Sequence, residues 1–212
     1  MAKRERAAHE EKNESGGSVQ VSRRSFLKGM VTGAVAATAT TLPVSPVREA
    51  VAAEPTGVKE AMIQLTVNGK AYRLKVKSDW TLLEVLRREL GMTGTKKACD
   101  RGNCGACTVI IEGKAVYACS LLAIMMDGRK IQTVEGLREG EKLHPIQKAF
   151  SEHGAYQCGF CTPGQMMASK ALLDKNPKPD EKDVRAALAG NLCRCASYPK
   201  IVEAVLAATT KA

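Results

Sequence analysis

The eight cysteines of this chain fall into two quartets, and that division constrains the fold more than any other feature. Cys99, Cys104, Cys107 and Cys119 are spaced C-x4-C-x2-C-x11-C, while Cys158, Cys161, Cys193 and Cys195 are spaced C-x2-C-x31-C-x1-C. Each quartet has to be gathered by its own piece of structure. The first three cysteines share a loop with Gly102 and Gly105, residues that let the backbone curl tightly and turn its N–H groups inward. Inward amides suit a buried anionic centre, because they donate hydrogen bonds to sulfur and tune its chemistry. Cys119 follows a hairpin turning about Gly113, from which residues 107 and 119 are equally distant, so it is expected opposite Cys107. C-x4-C-x2-C…C is the ligand spacing of plant-type [2Fe–2S] ferredoxins. In the second quartet, Cys158 and Cys161 are i,i+3 and suit one face of a helical turn. Cys193 and Cys195 are i,i+2 and belong to a loop or helix junction. An antiparallel helical pair across the long gap would close a helix-borne metal site.

Hydrophobic periodicity supplies two different domains for the two quartets. Ile63, Leu65 and Val67 alternate with polar residues, Asn68-Gly69 is a type I′ turn, and Tyr72, Leu74 and Val76 alternate on the return, which predicts a hairpin over 60–77. A capping box at Thr81 and Glu84, with Leu82, Leu83, Leu86 and Leu90 behind it, predicts a helix ending at Gly91. A second hairpin is expected at 108–118, turning at Glu112-Gly113-Lys114, and a short strand at 130–134. Residues 60–135 therefore read as a small α+β sheet domain. Past the polar linker 135–142 the pattern is helical. Helices are expected at 143–152, from Thr162 (N-cap) and Pro163 (N1) to about Leu173, at 181–188 and at 201–208, so residues 142–210 form a four-helix domain.

Other uses of eight cysteines fit this arrangement less well. Four disulfides would suit an exported chain, but this one is large enough to build a core without them. A structural zinc site would use the C-x2-C pair, whereas C-x4-C-x2-C and C-x1-C are not zinc-knuckle spacings. A Rieske centre needs two histidines beside the cysteines, and His144 and His153 read instead as helix or bundle residues. The net charge of +10 divides into +3 for residues 1–53 and +7 beyond. The lysines are scattered, with no basic helical stripe, so nucleic acid is not an expected partner. No side chain stands out as a substrate acid, base or nucleophile.

Residues 1–53 read as a processing segment rather than a fold. Ser22-Arg23-Arg24-Ser25-Phe26-Leu27-Lys28 resembles a twin-arginine export signal, a weakly apolar stretch follows to Leu42, and Ala50-Val51-Ala52 offers a cleavage site. The stretch is too short and too rich in Thr, Gly and Ala for a membrane span. The expected address is the periplasm, reached folded through the twin-arginine translocase.

The motifs "GTKKACDRGNCGACTV" (94–109), "YQCGFCTPGQMMAS" (156–169) and "LAGNLCRCASYPKI" (188–201) resemble the iron–sulfur subunits of molybdenum hydroxylases, the xanthine oxidase and aldehyde oxidoreductase family. The likeness covers about residues 60–210 and, with the export signal, is nearest the small subunits of periplasmic aldehyde oxidoreductases. It implies a β-grasp ferredoxin domain followed by a four-helix bundle, each holding one [2Fe–2S] cluster. It also implies a large molybdopterin-binding partner that performs the hydroxylation, with a FAD-binding medium subunit or another acceptor receiving the electrons. Gln157 corresponds to a residue that contacts the pterin in relatives. Where many relatives read Cys-Arg-Cys-Thr-Gly-Tyr, this chain has Ala196-Ser197 before Tyr198, a departure that spares the ligands and bears on substrate subgroup. The competing expectation is a free-standing two-cluster electron carrier. Folded export fits either role, since clusters inserted in the cytoplasm would be lost if the chain were threaded out unfolded.

Overall fold

The computed structural model describes Gly57 and residues 59–209; the arginine pair and the cleavage-like site lie outside the described residues. Five strands form one mixed sheet: β1 (Glu60–Val67), β2 (Lys70–Lys77), β3 (Thr108–Ile111), β4 (Lys114–Tyr117) and β5 (Lys130–Gln132), in the order β2-β1-β5-β3-β4. β1 runs parallel to β5, and the other pairs are antiparallel. One face carries Ile63, Leu65, Val67, Val76, Val109 and Ile131, which bury against Leu82, Leu83, Val85 and Leu86 of helix α1 (Leu82–Glu84, continued by Val85–Glu89). This is the β-grasp arrangement of a ferredoxin-type domain.

α1 starts as expected, with Thr81 and Glu84 closing a reciprocal capping box around Leu82–Glu84. It then widens into a π-helical turn over Val85–Glu89, closed by Leu90 N–H to the Val85 carbonyl at 3.2 Å. The widened turn presents Arg87, whose guanidinium donates to the carbonyls of Thr93 (3.0 Å) and Thr95 (2.9 Å) at the start of the cysteine loop. The sheet domain thus uses its helix to hold the entrance of its metal loop.

The two hairpins follow from their turns. Asn68-Gly69 and Glu112-Gly113 both have left-handed φ at both positions, the type I′ geometry that matches strand twist. The second turn is two residues long, so the register pairs Ile111 with Lys114 and Thr108 with Tyr117. The residue opposite Cys107 is therefore Ala118, whose N–H donates to the Cys107 carbonyl at 3.2 Å. Cys119 lies one residue further on, in the 3-10 turn Ala118–Ser120, which corrects the expectation of a directly paired Cys107 and Cys119.

Four helices complete the chain: α2 (Pro145–Glu152), α3 (Thr162–Lys175), α4 (Glu181–Leu188) and α5 (Tyr198–Ala208). α2 is capped by His144, whose Nδ1 accepts from Ile146 N–H at 3.2 Å, and His153 Nδ1 lies 3.0 Å from Glu203 of α5. The two histidines are thus structural parts of the bundle. α3 begins one residue earlier than the Thr-Pro signal suggests, with Cys161 at the N-cap. The bundle core includes Ile146, Phe150, Met167, Val184, Ile201 and Val205, and it also takes in Ile110 from the sheet's second face. The bundle is therefore built onto the sheet rather than tethered to it. No helix among the described residues is long and apolar enough to cross a membrane.

Asn68 joins the first turn to the end of β5: its Nδ2 donates to Thr133 Oγ1 at 2.9 Å, and Thr133 N–H donates to its Oδ1 at 2.8 Å. Thr133 is fully buried. Asn68→Ala is expected to destabilise the fold by about 2 kcal/mol, because buried partners are left unsatisfied. The thermal midpoint should then fall by roughly 4–8 °C for a chain of this size. Asn68→Gly, which restores the left-handed φ but not the hydrogen bonds, should fall between the two in the same melting experiment.

Candidate metal centres

The ferredoxin-type loop places its three cysteines with their backbone amides turned inward. Asp100, Gly102 and Gly105 all have left-handed φ. Gly102 N–H donates to Cys119 Sγ at 3.2 Å, and Asn103 N–H donates to Cys99 Sγ at 3.4 Å. The Cys99 thiol is pulled down to about 6, first by the N–H of Arg101 and then by that of Asn103. Cys107 is pushed up to about 12, chiefly by burial, next to the Cys119 thiol. Cys99 lies against Cys104, and Cys107 against Cys119, so the quartet divides into two sulfur pairs.

The helical quartet shows the same division. Phe160 N–H and then the Cys195 thiol lower Cys158, while burial beside Cys193 pushes Cys161 up to about 12. Burial also opposes ionisation of Cys193, but the Ser197 amide and the Cys161 thiol outweigh it and lower that group. Cys158 and Cys161 do not share a helical turn as expected: Gly159, at φ +76°, breaks the backbone between them. Cys193 and Cys195 occupy the loop between α4 and α5. Ala196 is left-handed at φ +58°, and the Tyr198 hydroxyl accepts from Cys193 N–H at 2.8 Å.

All eight cysteines are free, so disulfides are not what gathers them. Among the described residues no three His, Cys, Asp or Glu side chains are arranged to hold a single metal ion. Pairs are nonetheless what a two-iron cluster asks for, since its ligands are shared between two metals. Thiols pushed up to about 12, as at Cys107 and Cys161, would stay protonated without a cation, and a coordinated metal reverses this by deprotonating its ligands outright. The hydrogen bonds to sulfur, the thiol pairs and the inward amides all fit such a group.

Cys104 of the first quartet faces Cys158, Cys161 and Cys193 of the second across a cleft of about 360 Å³. Across it, Leu192 N–H donates to the Cys104 carbonyl at 2.9 Å. One hydrogen bond thus separates a cysteine of the first quartet from the residue preceding a cysteine of the second. Gln157 is exposed beside Cys158, and its amide donates to the Cys195 carbonyl at 3.4 Å. Sequence reasoning missed Arg87, which holds the nearby Thr93 and Thr95 carbonyls, and Tyr117, Asn191 and Gln165, whose polar contacts reach across the chain. The only signal for Asn191 was its place two residues before Cys193.

Fold and paired sulfur sites together define a two-cluster iron–sulfur protein. Residues 65–134 match the 2Fe-2S iron-sulfur cluster binding domain family, and residues 133–206 match the [2Fe-2S] binding domain family. The chain is 45% identical over 149 residues to the xanthine dehydrogenase iron-sulfur-binding subunit of Escherichia coli O157:H7, covering 68% of this chain and 91% of that one. It is 39% identical over 202 residues to the aldehyde oxidoreductase iron-sulfur-binding subunit PaoA of Escherichia coli K12, covering 88% and 87%. Among solved structures it superposes on a chain of quinoline 2-oxidoreductase from Pseudomonas putida 86 with a TM-score of 0.69 and 41% identity, covering 71% and 94%. This chain belongs to the family of iron–sulfur subunits of the xanthine dehydrogenase and aldehyde oxidoreductase type. Its role is electron transfer within a multi-subunit oxidoreductase.

In the metal-free protein, the thiol order gives a direct check. At pH 7, iodoacetamide should label Cys99 and Cys158 first and Cys107 and Cys161 last, as read by mass spectrometry. Labelling of Cys99 should fall as the pH drops through about 6, where the reactive thiolate is lost. Equal rates at Cys99 and Cys107 would contradict the geometry described.

Proposed function

We propose that this chain relays electrons one at a time from a molybdopterin site in a large partner subunit, where an aldehyde or N-heterocycle is hydroxylated, to a FAD-binding subunit or another acceptor. The observation that carries the relay is the Leu192 N–H···O=C Cys104 bond, which makes a short, mostly covalent path between the two sulfur sites. When bound, two [2Fe–2S] clusters supply the one-electron chemistry. Cys99, Cys104, Cys107 and Cys119 hold the first, and Cys158, Cys161, Cys193 and Cys195 hold the second.

The partner docks where the helical site meets the surface. Cys158 is exposed, and exposed Tyr156, Phe160 and Leu192 stand around it. An apolar rim at a redox site suits a protein contact rather than open solvent. This favours a catalytic companion over a free-standing carrier. Gln157 lies on the same rim, and its pterin contact is part of this proposal. The names of relatives support the class of partner, since iron-sulfur-binding subunits of both an aldehyde oxidoreductase and a xanthine dehydrogenase are among them.

Residues 1–53 carry the assembled complex through the twin-arginine translocase to the periplasm. The motif around Arg23-Arg24 supports this, as does the extent of the likeness to the Escherichia coli K12 protein. At 88% of this chain, that likeness takes in part of the leader as well as both cluster domains.

Two measurements test these readings. The native complex, purified through this chain, should contain a molybdenum-bearing large subunit; purification of this chain alone, without molybdenum, would favour the free-standing carrier. Deletion of residues 1–28 should hold the large subunit's activity in the cytoplasm. Unchanged periplasmic activity would overturn the export reading.

A further inference from the structure

Residues 190–192 are bonded to the ferredoxin-type domain at three consecutive positions. The Tyr117 hydroxyl donates to the Gly190 carbonyl at 3.0 Å, and Leu192 N–H donates to the Cys104 carbonyl at 2.9 Å. Between them, Asn191 Nδ2 donates to the Gly105 carbonyl at 2.9 Å and to Thr108 Oγ1 at 3.2 Å. The amide orientation follows from its partners. Thr108 gives its own proton to the Gly105 carbonyl at 2.6 Å, so both atoms facing Asn191 are acceptors. From the bundle side, Gln165 Nε2 donates to the Asn191 carbonyl at 3.0 Å. Asn191 is 4% exposed and Gln165 is fully buried.

Buried donors of this kind specify one arrangement, because each alternative leaves a polar group unpaired in a medium of low dielectric. Gly105 is held from both sides: an added Cβ there would stand 2.6 Å from Asn191 Nδ2. A Cβ on Gly164, at the start of α3, would collide with the Gly105 carbonyl. The contact leaves no room for a side chain at either glycine.

We infer that Asn191 is a positioning residue for electron transfer: its buried carboxamide sets the separation and alignment of the two cysteine sites by pinning the 190–192 segment onto the Cys104–Thr108 loop. It touches neither substrate nor sulfur. It acts by keeping the Leu192–Cys104 hydrogen bond in line, so that a single electron lost at one site is gained at the other with no bond made or broken. The inference rests on the two-cluster reading above.

The test uses the native complex with Asn191→Leu, which keeps the branched side-chain outline and removes both N–H donors, and Asn191→Ser as a smaller second variant. Iron content is measured beside the magnetic interaction between the two reduced clusters and the rate of electron exchange between them. Wild type should contain four irons per chain and show the interaction; its absence there would count against the two-cluster reading itself. Variants that keep all four irons should show a weakened interaction and a several-fold slower exchange. Full iron content with interaction and rate unchanged would overturn the inference. So would loss of iron in both variants, which would make Asn191 part of a cluster cradle rather than a spacer.

Discussion

The buried seam between residues 104–108 and 190–192 is the contact on which the rest of the molecule depends. Each quartet lies within its own half, and the seam brings Cys104 of the first beside Cys158, Cys161 and Cys193 of the second across one cleft. It is made of hydrogen bonds between buried groups, with Asn191, Gly105, Thr108 and Gln165 at its centre. Such bonds add modest net stability and cost much more when one partner is removed. That asymmetry suits a part whose task is to hold a distance. Ile110 in the bundle core adds the apolar component, so the two halves cannot part without exposing it.

Around each sulfur site the chain solves a second problem, how to stabilise negative charge in a poorly solvated place. The ferredoxin-type loop does so with left-handed residues that aim amides at sulfur, reaching Cys99 and Cys119. The helical site uses the Phe160 and Ser197 amides toward Cys158 and Cys193. In each site burial makes one thiol hard to ionise, the buried Cys107 in the first and the half-buried Cys161 in the second. An exposed Cys158 on one side and a partly exposed Cys99 on the other leave each site an edge toward a neighbour.

Much of this was legible in the sequence because local chemistry decides it. The hairpin at 60–77, the capping box at Thr81 and the helix at 181–188 all obey short-range rules, and the structure has them where expected. Errors arose where one residue of turn length or one glycine mattered. A two-residue turn at Glu112-Gly113 shifts Cys119 out of register with Cys107, and Gly159 breaks the turn that would have joined Cys158 to Cys161. The seam was not legible at all. Asn191 and Gly105 are far apart in sequence, and nothing in the periodicity of either segment announces that they meet. A buried asparagine beside a cysteine motif looks like any other loop polar residue until its partners are known.

The most direct test of the central claim is the iron, acid-labile sulfide and reduced-state EPR of the native co-purified complex. The account predicts four irons and two distinguishable [2Fe–2S] signals per chain, alongside molybdenum from the companion subunit. Two irons or none, with zinc in either cysteine site, would contradict it.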